Sequence, residues 1–190
     1  MKMNRRDALA AVGALLGTTF ISEELFAVSK FGGQTALKTN DLFSAKDIQL
    51  LDEVADTIIP ETKTPGAKAA KVGEFMALMI TDCYTPNVRD NFIKGLTQIN
   101  EESNTMFGKA FLSCSPEERK VLLIKLDKDQ KENQRAKKPT HYFRLMKELT
   151  LLGYFTSEIG GTQQLTYEEV PGKYEGCISY KKGDPVYLNP

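Results

Sequence analysis

The chain has 190 residues, and its 25 basic side chains are balanced by 25 acidic ones, so it carries no field that would draw nucleic acid or an anionic membrane face. With residues 1–39 set apart as a leader and spacer, about 150 residues remain, enough for one domain that buries roughly two-thirds of its unfolded surface. Three cysteines and a single histidine leave little material for metal or acid–base chemistry.

Arg5 and Arg6 stand ahead of a mildly apolar run at residues 8–21 that contains Gly13, Gly17, Thr18 and Thr19. A membrane-spanning helix needs about 20 mostly apolar residues, so the run reads as the h-region of a signal. The paired arginines then read as an address for the twin-arginine translocase, which exports proteins already folded. Leu25-Phe26-Ala27 is a poor cleavage site, and Asp7 is unusual in such a leader, so cleavage and retention as an uncleaved anchor both stay open. No cysteine precedes Cys83, which removes lipid attachment near the N-terminus. Folded export serves proteins that load a cofactor in the cytoplasm. A chain that loads none can carry the signal for a partner that does.

The body, residues 40–190, is predicted all-α, with about five amphipathic helices. Ser44, followed by Asp47, opens a first helix whose Ile48, Leu51, Val54, Ala55 and Ile58 share a face, and Pro60 closes it. After a loop at 62–66, Val72, Phe75, Met76, Met79, Ile80 and Cys83 form one stripe of a second helix, ending near Tyr84-Thr85-Pro86. Val88, Phe92, Leu96, Ile99 and Phe107 mark a third, stopped by Gly108. Ser115-Pro116-Glu117-Glu118 supplies an N-cap, a proline at the first helical position and a glutamate for the free amides of a fourth, through Leu122, Leu123 and Leu126. Residues 127–139 are almost wholly charged or amide-bearing and read as a solvated helix end or a mobile loop. Thr140 can cap a fifth helix, the most buried one, with Phe143, Met146, Leu149, Thr150, Leu152 and Gly153, reaching to Gly160-Gly161.

The tail, residues 162–190, interleaves Tyr167, Tyr174, Tyr180 and Tyr187 with Pro171, Gly172, Gly176, Gly183 and Pro185, and no helix survives that density. Its rings either wrap over the helical body or meet another protein, or both, since tyrosine joins large contact area to a polar tip. An oxidised Cys83–Cys177 link would close a loop of roughly 95 residues and pin the tail; two free thiols are the alternative. Cys114 is then the odd thiol. His141, at a helix start, fits a surface or capping role better than catalysis. There is no Gly-x-Ser-x-Gly, no Cys-x-x-Cys, no His pair at helical spacing and no phosphate-cradling glycine loop, and Glu101-Glu102 and Glu168-Glu169 read as solvated surface.

The segment from Phe143-Arg144-Leu145-Met146 through Leu152-Gly153-Tyr154-Phe155 to Val170-Pro171-Gly172 and Gly176-Cys177 resembles the C-terminal signature of gluconate 2-dehydrogenase subunit 3 proteins. Ala55-Asp56-Thr57-Ile58-Ile59-Pro60, Thr64-Pro65-Gly66-Ala67 and Asp82-Cys83-Tyr84 are similar to that family's upstream motifs, and the likeness spans Asp41 to about Cys177. The resemblance implies a small, cofactor-free, non-catalytic subunit of a periplasmic sugar or polyol dehydrogenase. It further implies binding to a large glucose-methanol-choline-type flavoprotein that holds FAD, with a multihaem cytochrome c as a third subunit in some assemblies. On this expectation the chain escorts the folded flavoprotein through export and then stabilises it. Tyr154, Phe155, Tyr167, Tyr174 and Tyr180 are the expected contact residues, with Glu148 and Glu158 behind them, because aromatic anchors dominate interface energetics. The rival from another class is a stand-alone periplasmic helical protein that binds a small ligand between its helices, or an enzyme using His141 and Cys114.

Overall fold

The structure is a computed structural model in which residues 42–170, 172, 177, 179–184 and 186–188 are described; Arg5, Arg6 and the rest of the leader lie outside them. Two helices begin on capping boxes that the sequence supplies. Helix α1, Ala45–Ile58, opens on a reciprocal capping box in which Ser44 Oγ accepts from the Asp47 amide and the Asp47 carboxylate accepts from the Ser44 amide. Helix α2 is Val72–Cys83. Helix α3, Pro86–Phe107, starts on its proline and stops at Gly108, whose φ of 70° is the left-handed value a side chain would resist. A short 3₁₀ turn, Phe111–Ser113, leads to α4, Pro116–Arg135, which repeats the capping box with Ser115 and Glu118. Helix α5 is Tyr142–Phe155.

Two boundaries differ from the sequence pattern, and a third decides between alternatives that it left open. Helix α4 continues through the polar segment to Arg135, so the solvated helix end is the form adopted there. Its last buried residue is Gln130, and beyond the core the turn is tied by Lys131 to Asp127 at 2.6 Å. His141, not Thr140, caps α5: its Nδ1 accepts from the Phe143 amide at 3.2 Å, while the Thr140 carbonyl accepts from Asn91 Nδ2 at 3.1 Å. Helix α5 also ends before the glycine pair. Gly160 presses against the Tyr154 carbonyl, where a Cβ would collide with the oxygen, and Gly160–Gln164 forms a single π-helical turn.

Helix α5 is the centre of the domain, touching the other four helices and the π turn. Its Phe143, Met146, Leu149, Thr150, Gly153 and Tyr154 are buried, whereas Leu152, expected among them, faces outward at 46% exposure. Around that stripe close Phe43, Leu51, Ile80, Phe92, Ile99, Phe111, Leu122 and Leu126, each worth roughly 1.5–3 kcal/mol in apolar burial. Gly95 allows α3 to lie against the Tyr142 ring, which a Cβ there would overlap. The buried Thr150 is satisfied within its own helix, its Oγ1 donating to the Met146 carbonyl at 2.8 Å. One ionic knot ties α1 to α4. Arg119 pairs with Glu53, donates to the carbonyls of Phe111 and Leu112 at 3.2 and 2.8 Å, and lies over the Phe111 ring. Burial opposes the charge on Glu53, but Lys68 and Arg119 outweigh it and hold its carboxyl below the usual range.

Among the described residues the tail contains no α-helix, and no helix is long and apolar enough to cross a membrane. The tail folds back on itself. A parallel bridge joins Thr166 to Tyr187, with the Thr166 amide donating to the Val186 carbonyl and the Leu188 amide to the Thr166 carbonyl, each at 2.9 Å.

Candidate interaction surface

Two of the side chains best suited to chemistry, His141 and Cys114, are occupied by the fold. His141 spends Nδ1 on the α5 cap, so the neutral ring carries its proton on Nε2; burial lowers its pKa against the pull of Asp129 and Glu102. Its ring stacks on Tyr142 with centroids 4.3 Å apart. The Cys114 thiol is buried, 3.1 Å from Ser103 Oγ. Cys83, at the end of α2, and Cys177, in the tail, are both exposed and free, so the link weighed between them is not formed here. Among the described residues no three His, Cys, Asp or Glu side chains come together as a metal site.

Two clefts mark the helical body. One, of roughly 530 Å³, lies between α3 and the loop entering α5, with Asn91, Gln98, Glu101, Glu102 and His141 in its walls; Glu102 is already bound to Lys125 at 2.8 Å. Beside it the Tyr142 hydroxyl is buried without a partner, and burial pushes its pKa up, helped by Glu102 and Asp129. The second, of roughly 270 Å³, is an apolar groove of Ile58, Leu123, Ile124 and Phe143, edged by the Lys147–Asp127 pair at 2.7 Å.

The C-terminal end of α5 presents the larger apolar surface. Leu151 and Leu152 stand 41% and 46% exposed, and Tyr167, Val170, Val186, Tyr187 and Leu188 range from 40% to 78%. The pieces adjoin one another: Leu188 sits over Gly161, Gly160 lies on the Tyr154–Phe155 backbone, and Leu151 is one helical turn before Phe155. The platform beneath is braced. Tyr154 donates its hydroxyl to the Pro65 carbonyl at 2.8 Å, and Thr64 Oγ1 donates to Gln164 Oε1 at 2.8 Å.

A family model described as gluconate 2-dehydrogenase subunit 3 matches residues 45–172. The chain belongs to that family. The match takes in all five α-helices and the π turn and ends in the tail, so the helical body is the family's domain. Neither the curated proteins nor the solved structures give a significant match. The family's name is that of one subunit of a multi-subunit dehydrogenase, which moves attention from clefts to surfaces that another chain could cover.

The aromatic residues singled out from the sequence divide on that criterion. Tyr154 is corrected: it is 1% exposed, its ring belongs to the core, and it cannot touch a partner directly. Phe155 is half-buried, edge-on to Tyr154 at 5.3 Å. Tyr167 and Tyr180 are 51% and 65% exposed, and Tyr174 lies outside the described residues. Glu148 pairs with Arg144 at 2.8 Å on the surface, and Glu158 is exposed. The periodicity that placed Met146 and Thr150 inward placed Tyr154 with them, so its burial was available from spacing. Leu151 and Leu188, by contrast, carried no sequence signal as surface residues.

Proposed function

We propose that the chain is the non-catalytic small subunit of a periplasmic, FAD-dependent sugar or polyol dehydrogenase, and that it escorts the folded catalytic flavoprotein through the twin-arginine pathway. Family membership over residues 45–172 carries this reading. Arg5 and Arg6, ahead of the short apolar run, support the export half. The flavin and the hydride chemistry reside in the partner, with haem c in a third subunit where electrons pass onward.

Physically, the escort works by burial. A sister subunit that meets the small chain over a standard interface of about 1,600 Å² forms a unit stable enough to cross as one folded body. One signal then serves two chains. After transit the small subunit stays in place and covers apolar surface that the flavoprotein would otherwise expose.

Replacing Arg5 and Arg6 together by lysine tests the escort. The flavoprotein is expected to accumulate in the cytoplasm, folded and loaded, with periplasmic dehydrogenase activity down at least tenfold. Normal periplasmic yield of the flavoprotein in that variant would remove the escort role. A colourless chain that purifies alone and binds a small molecule in the cleft beside His141 would favour the stand-alone ligand-binding reading instead.

A further inference from the structure

We propose that the sister subunit docks on the end of α5, on the surface formed by Leu151, Phe155, Tyr167, Val186, Tyr187 and Leu188. This rests on the subunit reading above and adds to it a place. Exposed apolar side chains brought together on a folded chain mark a contact surface. Here the two parts meet at the π turn, where Leu188 and the Phe155 carbonyl both lie beside Gly161, and the bridge places Thr166 next to Tyr187. The part of it on α5 and the π turn is braced by Tyr154 on the Pro65 carbonyl and Thr64 on Gln164, which lowers the ordering cost at docking there.

The backbone adds a second feature. In the parallel bridge Thr166 uses its amide and its carbonyl toward Val186 and Leu188, which leaves the N–H and C=O of Tyr187 pointing to the opposite side. Among the described residues nothing pairs with that side, and an extended segment of another protein can add there by main-chain hydrogen bonds while its side chains settle among Tyr167, Val186 and Leu188. The occupant is therefore a protein. A bilayer would not use the edge, since a lipid surface offers no main chain to pair with it. Family membership makes the sister subunit that protein.

The test uses the whole exported complex. Full-length chain and the flavin-bearing catalytic subunit are expressed together, the small subunit is isolated from the periplasm with an antibody, and bound flavin per small subunit is measured. Leu151→Asp and Tyr187→Asp are each expected to lower it at least tenfold while the small subunit unfolds at the wild-type temperature. Ile124→Asp, on the rim of the α4 groove, is expected to leave it unchanged. Should Tyr187→Asp fail to fold, Leu151→Asp, exposed on a helix, still decides the matter. If both keep wild-type flavin, or Ile124→Asp alone loses it, docking at this surface is wrong although the subunit reading stands. If Leu151→Asp splits a homodimer yet keeps its flavin, the surface belongs to a second copy. Wild-type chain that comes out without any flavoprotein overturns the subunit reading itself.

Discussion

Tyr154 lies on the same stripe of α5 as Met146 and Thr150, so its ring enters the core and only its hydroxyl meets a polar group, the Pro65 carbonyl at 2.8 Å. Its effect on a partner is therefore indirect. Tyr154→Phe keeps the ring and loses one hydrogen bond, which is expected to cost about 1 kcal/mol in urea unfolding and to leave bound flavoprotein unchanged. A large loss of partner with unaltered stability would mean the hydroxyl is used outside the domain. Asp127 offers a second test at this scale. Burial works against its charge, but Lys131, Lys147 and Gln130 prevail and hold its carboxyl down to about 2. A carboxyl depressed in the folded state adds stability above its unfolded pKa of about 3.9, and that stability disappears as pH falls toward 2. Asp127→Asn should accordingly cost about 1–2 kcal/mol at pH 7. The gap from wild type should close between pH 4 and 2, and a gap that persists at pH 2 would point to packing as its origin.

At the scale of the element, helix starts were legible wherever a cap and its return partner stand at fixed spacing, as in Ser44 with Asp47 and Ser115 with Glu118. The stop at Gly108 was legible for the same local reason. What the pattern left open or misplaced lies where local rules fall silent. The last turns of α4 bury almost nothing, so no periodicity announces them, and they persist through ion pairs and the connection to α5. The α5 cap was placed one residue early because threonine is the commoner cap, whereas Thr140 is turned toward Asn91 and the imidazole of His141 faces the Phe143 amide. That cap is pH-sensitive by construction. Protonated imidazole donates at Nδ1 and can no longer accept, and burial lowers its folded pKa below 6.5. For a base depressed by folding, stability is complete above the unfolded value and is lost as pH falls below it. His141→Asn keeps an acceptor at the cap without a titrating group, so its thermal midpoint should match wild type at pH 7.5 and exceed it at pH 5. Equal acid loss in both proteins would assign that loss to other groups.

Across the whole molecule, the helical class and the family were readable from the sequence, because cap spacing and motif order are one-dimensional facts. The interaction surface was readable only in part. Exposure of Tyr167 follows from its place among polar and irregular residues, and Leu151 meets Phe155 by helical spacing, but the seating of Leu188 over Gly161 depends on where the tail lands, which no spacing encodes. The same geometry separates stability from assembly. Among the described residues every buried apolar side chain of the core lies between Phe43 and Tyr154, and residues 171–190 add to the fold two backbone hydrogen bonds at Thr166 and the contact of Leu188 with Gly161. Those contacts are worth about 2 kcal/mol together, or about 4–8 °C for a domain of this size. A chain ending at Val170 is thus expected to unfold cooperatively with a midpoint lowered by that amount, seen by circular dichroism, and to lose the flavoprotein at least tenfold in co-purification. A truncated chain without cooperative unfolding would make the tail part of the core, and one that retains its partner would leave the open edge of Tyr187 without a use.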